Sequence, residues 1–327
     1  ITWKGMKFFD LFAGIGGFRL GLEANGHECI GSCEIDKYAR KIYAKNFGSE
    51  PEYKDARDIN PTELPDFDIL SGGFPCQSFS IAGNRKGFED TRGTLVYEIF
   101  RIAREKQPSI LLLENVKGLL SHDKGKTFEV IIQSLDEMGY ECEWQLINSK
   151  YFVPQNRDRI FIIGHLRGSG SRKILPLRDF CEVNDRTRKK AQGKGQRIRS
   201  KYSGAVDANY YKGGGSRTMI AEPKIKVLLN SDRDTYRIYS TDGVARTLRA
   251  GIGGLGKMTG VYKTSDYHYR KLTPTECERL QGFPDGFTSG VSDTQRYKML
   301  GNAVTVTVIK SIAEKFKFTW NTMEEEI

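Results

Sequence analysis

Long apolar runs are missing from this chain: no stretch approaches the ~20 consecutive apolar residues that a membrane-spanning helix needs. Its six cysteines, at 29, 33, 76, 142, 181 and 277, include no CxxC pair. Neither a disulfide framework nor a zinc site is therefore expected; no metal is, and the thiols should be reduced. Ile1–Asp10 lacks the plan of a secretory signal, and Met6 is a candidate start, so a cytoplasmic protein is expected. Internal repeats are absent too. What is present is a chain of 327 residues, 38% hydrophobic and 28% charged, with a formal charge of +10. That length exceeds one ordinary core and suits two lobes of unequal size. The charge favours a polyanionic partner, with a well-solvated basic surface as the plain alternative.

Hydrophobic spacing organises the first half. The apolar run Met6–Phe12 meets glycines at 14, 16 and 17 and then a helical pattern over Phe18–Asn25, which reads as strand, tight turn and helix. Glu28–Cys33 and Asp36–Phe47 repeat that cycle. Phe67–Ser71, Ile110–Leu113 and Ile160–Ile163 are short buried-strand runs, with helices expected at Leu95–Glu105 and Thr127–Met138. This alternation predicts an α/β fold with a doubly wound sheet and right-handed crossovers. After Leu166 the texture changes. Residues 167–201 are strongly basic, a DNA-contacting or merely solvated stretch, and residues 202–262 are rich in Gly and Tyr with β-like pieces at Lys224–Leu229 and Tyr236–Ser240. Regular texture returns near Leu272 and ends in a helix around Val304–Phe316. Hence the expected division is 1–170 for catalysis and cofactor, 171–272 for a small irregular/β domain, and 273–327 for a return to the first.

Three places carry chemistry. The turn Asp10–Phe18 sits where the first strand meets the first helix, and small residues there let backbone amides approach a ligand. Glu34, about 20 residues on, is placed to grip ribose hydroxyls, and Asp55 could serve similarly. A nucleoside-bearing cofactor follows, either a dinucleotide or S-adenosylmethionine. Cys76 lies in the polar loop Gly72–Ser80 after a buried strand, at the sheet edge where open α/β folds bind ligands. It is a candidate nucleophile, given a nearby cation to favour the thiolate; Arg157 and Arg159 are candidate sources. The other five cysteines read as structural. Glu114 ends a strand beside the same edge, as an acid held partly protonated or as a salt-bridged cap. Arg157 and Arg159 should point to one side of their strand and Asp158 to the other.

In their order, the blocks Asp10–Gly17, Gly73–Gln77, Glu114–Val116, Gln155–Arg159, Arg270–Pro284 and Gly301–Val304 resemble the DNA cytosine-5 methyltransferase family, in its compact prokaryotic or phage form. The poorly matched stretch, roughly 167–268, coincides with that family's variable target-recognition region. The resemblance implies a methyltransferase sheet with a smaller target-recognition domain. It also implies S-adenosylmethionine as donor, held by Phe12, Ala13, Gly14, Gly16 and Gly17, with Glu34 on the ribose and Ile35 and Asp55 on the adenine. Leu95, Asn302 and Val304 would close that pocket. Cys76 would attack cytosine C6, Glu114 would bond N3 and the exocyclic amine, and Arg159 would hold the base carbonyl. Arg157 and Gln77 would support the site. Residues 76–93 match the family's mobile catalytic loop, so Ser80, Arg85 and Lys86 are candidate DNA contacts. Arg246, Thr247, Leu248 and Arg249 resemble the recognition core, whose arginines would read guanine edges or bind phosphate only. Ala56 departs from the larger aliphatic common after that Asp.

The implied partner is double-stranded DNA bound by a monomer, nucleoid-associated when bound, with protection from a cognate restriction endonuclease as the role. A cytosine inside a duplex cannot offer C6 to a thiol, so the base must be rotated out at a cost of a few kcal/mol. Two rivals stay open: an RNA cytosine-5 methyltransferase, against which the long insert between the fourth and fifth blocks argues, and an inactive relative retained for DNA binding, against which Cys76, Glu114 and Arg159 argue. A nicotinamide oxidoreductase is weaker still, since no nicotinamide-site pattern follows the glycine turn.

Overall fold

The computed structural model describes residues 5–74, 95–171, 173–177, 225–229, 238–250, 261–265 and 268–320. β1 (Lys7–Leu11) buries Phe8, Phe9 and Leu11, so residues on both faces are covered, as the continuous apolar run requires. α1 (Gly17–Glu23) follows, then β2 (Glu28–Cys33) and α2 (Lys37–Phe47). Asp36 starts α2 as an N-cap whose carboxylate accepts the Tyr38 and Ala39 amides, and Gly48 ends it in the left-handed region. Next come β3 (Ile69–Gly73), α3 (Leu95–Lys106), β4 (Ile110–Val116), α4 (Lys126–Glu137), β5 (Tyr140–Asn148) and β6 (Asp158–Leu166).

These strands form one sheet in the order β2-β1-β3-β4-β6-β5. The first four run parallel, and β6 is antiparallel to both β4 and β5. The chain leaves β1 for β2 on one side and then reaches β3 on the other. That reversal opens a crevice at the carboxyl ends of β1 and β3, the place where doubly wound sheets take ligands. The expected α/β architecture is the observed one.

Helices cover both faces. On one, Leu70, Leu111 and Leu113 pack with Ile99, Phe100 and Ala103 of α3 and with Ile131 and Leu135 of α4. On the other, Phe8, Ile110 and Leu112 pack with Leu22 of α1 and with the C-terminal helix. That helix is the last of three: α5 (Pro274–Gln281), α6 (Asp293–Asn302) and α7 (Val306–Trp320). α5 opens on a capping box between Thr273 and Glu276, with Pro274 in its first turn. Cys277, Phe283 and Leu300 join Ile15, Ala39 and Ile42 in a third cluster, so residues from α5 and α6 pack against α2 and the turn after β1. A second, four-stranded sheet contains β7 (Val227–Leu229), β8 (Ile238–Ser240), β9 (Val261–Ser265) and β10 (His268–Lys271), ordered β10-β9-β8-β7. Among the described residues no helix is long and apolar enough to cross a membrane.

The α1–α7 contact depends on a missing side chain. A Cβ at Gly21 would lie 2.6 Å from Ile309 Cβ and 3.0 Å from the Lys310 amide nitrogen. Gly21→Val should therefore lower the free energy of unfolding by about 1–3 kcal/mol through overpacking. Thermal unfolding checks this, and an unchanged midpoint would contradict the contact.

Candidate active site

The glycine turn after β1 is built around Glu34. Phe12, Gly14 and Gly16 all have positive φ, at 61°, 57° and 89°, which bends the chain sharply between β1 and α1. Gly16 has no room for a side chain, since a Cβ there would meet the Phe47 ring at 2.3 Å. Glu34, at the end of β2, accepts the Gly14 amide with Oε2 and the Asp36 amide with Oε1, each at 2.7 Å. Burial pushes its carboxyl above the ordinary value, and the two amide bonds pull against that shift. Ile35 beside it is 67% exposed, an aliphatic side chain left in solvent at the crevice. Asp55 reaches the same place because Tyr53 bridges to Cys33 alongside β2. Its carboxylate is gripped by Arg57 at 2.5 Å, and those bonds hold it below the usual range.

The far end of the chain roofs this turn. Ala13 is buried, and a Cβ at Gly17 would come within 2.8 Å of Val304. Lys298 of α6 pairs with Asp36 at 2.7 Å. Asn302 stands exposed at the end of α6, and Leu95 is half-buried at the start of α3. All eleven residues expected to hold a cofactor are described.

Across the sheet edge stands a buried ion pair. Glu114 on β4 meets Arg159 on β6 at 2.9 Å between Oε1 and Nε, both side chains largely buried. Burial raises the Glu114 pKa, opposed by Arg159 and Arg157. Its Oε2 lies where a Cβ of residue 73 would approach within 3.2 Å, so Gly73 leaves that oxygen clear. The next residue, Asn115, donates its side-chain amide to the Phe74 carbonyl at 2.8 Å and thereby ties the end of the β3 segment, two residues before Cys76, to β4. Asn115 was not singled out in the sequence, although its place beside Glu114 was a usable signal. Cys76, Gln77, Ser80, Arg85 and Lys86 lie outside the described residues, as do Cys181 and the basic run 185–201. Burial pushes the described cysteines up, Cys29 to about 11 and Cys33, Cys142 and Cys277 each to about 12. Such thiols are poor nucleophiles.

Arg157 is 1% exposed and donates to the carbonyls of Leu248, Gly301 and Ala303. Burial pulls its pKa down to about 9, which leaves the guanidinium charged at neutral pH. It influences Glu114 along with Arg159, whereas Asp158 turns to Asn148 and Lys117. The strand alternation expected of these three residues is met. Residues 245–248 lie against the same strand entrance. Ala245 exchanges backbone bonds with Pro154 and Asn156, and the Thr247 hydroxyl donates to the Asn156 carbonyl. Leu248 is 3% exposed in the core with Ile15 and Leu300, and Arg246 is also buried, its guanidinium over the Tyr239 ring. Of these four candidate DNA contacts, only Arg249 is exposed.

The family profile described as C-5 cytosine-specific DNA methylase matches residues 6–317. Type II methyltransferase M.HhaI of Haemophilus parahaemolyticus is 40% identical over 325 residues, covering 94% of this chain and 93% of the relative. Type II methyltransferase M1.ScrFI of Lactococcus lactis subsp. cremoris is 42% identical, covering 94% of this chain and 77% of the relative. Among solved structures, S. pombe Dnmt2 methyltransferase aligns with a TM-score of 0.66 at 20% identity, covering 97% of this chain and 99% of that one, a likeness of fold.

Beneath the glycine turn, Asp10 is fully buried, its Oδ1 accepting the Ser71 hydroxyl at 2.9 Å and its Oδ2 without a partner among the described residues. Burial raises its pKa from 3.8 to about 7, against the hydrogen bond from Ser71. The unfolded chain ionises first, so stability should fall as pH rises from about 4 to about 7, by roughly 4 kcal/mol, and level off above. Asp10→Asn should flatten that slope. Urea unfolding at a series of pH values checks it, and an unaltered slope in the variant would contradict the assignment.

Proposed function

Since the chain belongs to the C-5 cytosine-specific DNA methylase family, and so is a DNA cytosine-5 methyltransferase, we propose that it methylates a cytosine rotated out of duplex DNA, with S-adenosylmethionine as donor and Cys76 as covalent nucleophile. The observation that carries this reading is the buried Glu114–Arg159 pair beside Gly73 and Phe74, which lead directly to Cys76 in the sequence.

The crevice residues fit a nucleoside. Glu34 is held open by two amides for a ribose diol, Ile35 offers an aliphatic face for a base, and Asp55 can accept an exocyclic amine by sharing or releasing Arg57. S-adenosylmethionine bound there supplies an electrophilic methyl group. Phe12, Ala13, Gly14, Gly16 and Gly17 give the close backbone approach, and Leu95, Asn302 and Val304 stand around it. The small sheet belongs to a recognition lobe spanning 171–272, whose basic surface would meet phosphates while Arg249 offers a guanidinium to DNA. Ser80, Arg85 and Lys86 would contact DNA from the Cys76 loop, and Gln77 would support it.

Carbon 5 of cytosine is a poor nucleophile while the ring is conjugated. Bond formation between the Cys76 thiolate and C6 pushes an electron pair through C5 toward N3. Glu114 answers that charge by donating a proton to N3, which its raised pKa favours. Arg159 keeps Oε1 occupied, leaves Oε2 for the base, and can hold the base carbonyl from the same guanidinium. The enamine carbon C5 then takes the methyl group. Loss of the C5 proton returns the electron pair that expels Cys76. Arg157 fixes the entrance of β6 and with it the position of Arg159. The type II relatives suggest protection of DNA from a paired endonuclease as the role.

In the presence of S-adenosylmethionine, a duplex with 5-fluorocytosine at the target position should trap the parent as an adduct that survives denaturation, because after methylation the fluorine on C5 cannot leave as a proton does. Cys76→Ser should form none. Trapping by RNA, with no DNA trapped, would overturn the substrate assignment; adduct formation by Cys76→Ser would overturn the nucleophile.

A further inference from the structure

A chain of buried amides joins the recognition segment to the roof of the cofactor crevice. The Leu248 amide donates to Gln155 Oε1 at 3.1 Å. Gln155 Nε2 donates to the Leu280 carbonyl at 2.8 Å and to Gln281 Oε1 at 3.3 Å. Gln281 Nε2 donates in turn to the carbonyls of Leu300, at 2.7 Å, and Ala303, at 3.2 Å. The Thr305 hydroxyl completes Gln281 Oε1 at 2.9 Å and meets Ser149 Oγ at the same distance. Gln155 and Gln281 are both fully buried. Each carboxamide spends both donors and its acceptor within the chain, and the bonds Leu248–Gln155, Gln155–Gln281 and Gln281–Leu300 all run the same way, from residue 248 toward residue 300. Bonds aligned in this way reinforce one another in a low-dielectric interior.

Two further contacts tie the same segments. Arg157 holds the carbonyls of Leu248, Gly301 and Ala303 with one guanidinium. A Cβ at Gly301 would fall 2.4–2.6 Å from the backbone of Arg249 and Ala250, so the two stretches of main chain touch. The roof in question carries Asn302 and Val304, and Val304 lies against Gly17 of the glycine turn.

We propose that Gln155 and Gln281 are positioning residues that couple cofactor binding to DNA binding; the proposal rests on the cofactor and DNA readings above. A buried amide left without its partner costs far more than the pair gains, so the relay is satisfied only when segments 245–250 and 300–305 are in register. Ligand that fixes residues 302–304 against the glycine turn fixes that register. DNA arriving at Arg249 then meets a segment already ordered, and the ordering cost is met once for both ligands. Thermodynamic linkage makes the effect reciprocal.

The test measures the dissociation constant for a duplex carrying the site that bisulfite sequencing of co-expressed plasmid identifies, with and without saturating S-adenosylhomocysteine. For the parent, S-adenosylhomocysteine should tighten DNA binding about fivefold or more, the lower end of ordinary coupling. Gln155→Met and Gln281→Met should each bring that ratio to within about twofold of unity, and the double variant should lose no more than either single one, as two links of one chain require. A role confined to stability would shift unfolding and leave the ratio alone. Folded variants that keep the parental ratio overturn the proposal. Where the Met variants fail to fold, Thr305→Val, which removes one donor at the margin of the relay, should lower the ratio in part, and an unaltered ratio there overturns it equally. A parent that binds each ligand with a ratio of one overturns the coupling and leaves the functional reading standing. A parent that binds neither ligand overturns both.

Discussion

The reaction proposed for this fold depends on one carboxylate kept out of water beside a guanidinium. Desolvation alone would drive Glu114 to its neutral form, and an ion pair alone would drive it to the charged one. With both present, desolvation leads, and Arg159 keeps the group oriented through a single oxygen. The arrangement suits an acid that must release a proton as charge develops on a substrate nitrogen and recover it afterwards. It also explains why the pair sits on β4 and β6, two central strands whose backbones are fixed on both sides by the ladder. A loop would let the two side chains drift apart.

Around that pair the rest of the molecule divides into support and access. The reversal of strand order between β1 and β3 places the glycine turn and residues 73–74 side by side, with Glu114 one strand further along. The C-terminal segment then crosses back over the turn, pinned by Lys298 on Asp36 and by Val304 on Gly17. Segments 262 to 287 residues apart in sequence thus build one crevice. Nothing local to either end demands this; the apolar stripe of α7, buried against α1, does.

Much of this was legible in the sequence, and the reasons are physical. Buried parallel strands leave continuous apolar runs, so β1, β3 and β4 announced themselves, as did the glycines that need positive φ. β5 did not. As an edge strand it buries only Tyr140 and Ile147, and its alternation of Glu, Cys, Trp and Gln offers no such run. α6 escaped notice because its apolar side is narrow, and β9 and β10 because the glycine-rich stretch around them obscures any period. Residues 246–249 were singled out in the sequence, yet their buried commitments were not. Their partners Gln155 and Asn156 lie some 90 residues away, and no spacing rule links Thr247 to the Asn156 carbonyl. Long-range polar pairing is the part of a fold that local pattern leaves unwritten.

The proposed reaction thus joins a strand-mounted carboxylate and guanidinium, Glu114 and Arg159, to the thiol of Cys76, two residues beyond the Phe74 that Asn115 holds. A direct check is the nucleoside composition of duplex DNA after incubation with the purified protein and S-adenosylmethionine, digested and resolved by mass. 5-Methylcytosine should accumulate with the parent and fall by at least about a hundredfold with Glu114→Gln, the usual scale for losing a general acid. Accumulation of N4-methylcytosine instead, or undiminished 5-methylcytosine from Glu114→Gln, would contradict the account.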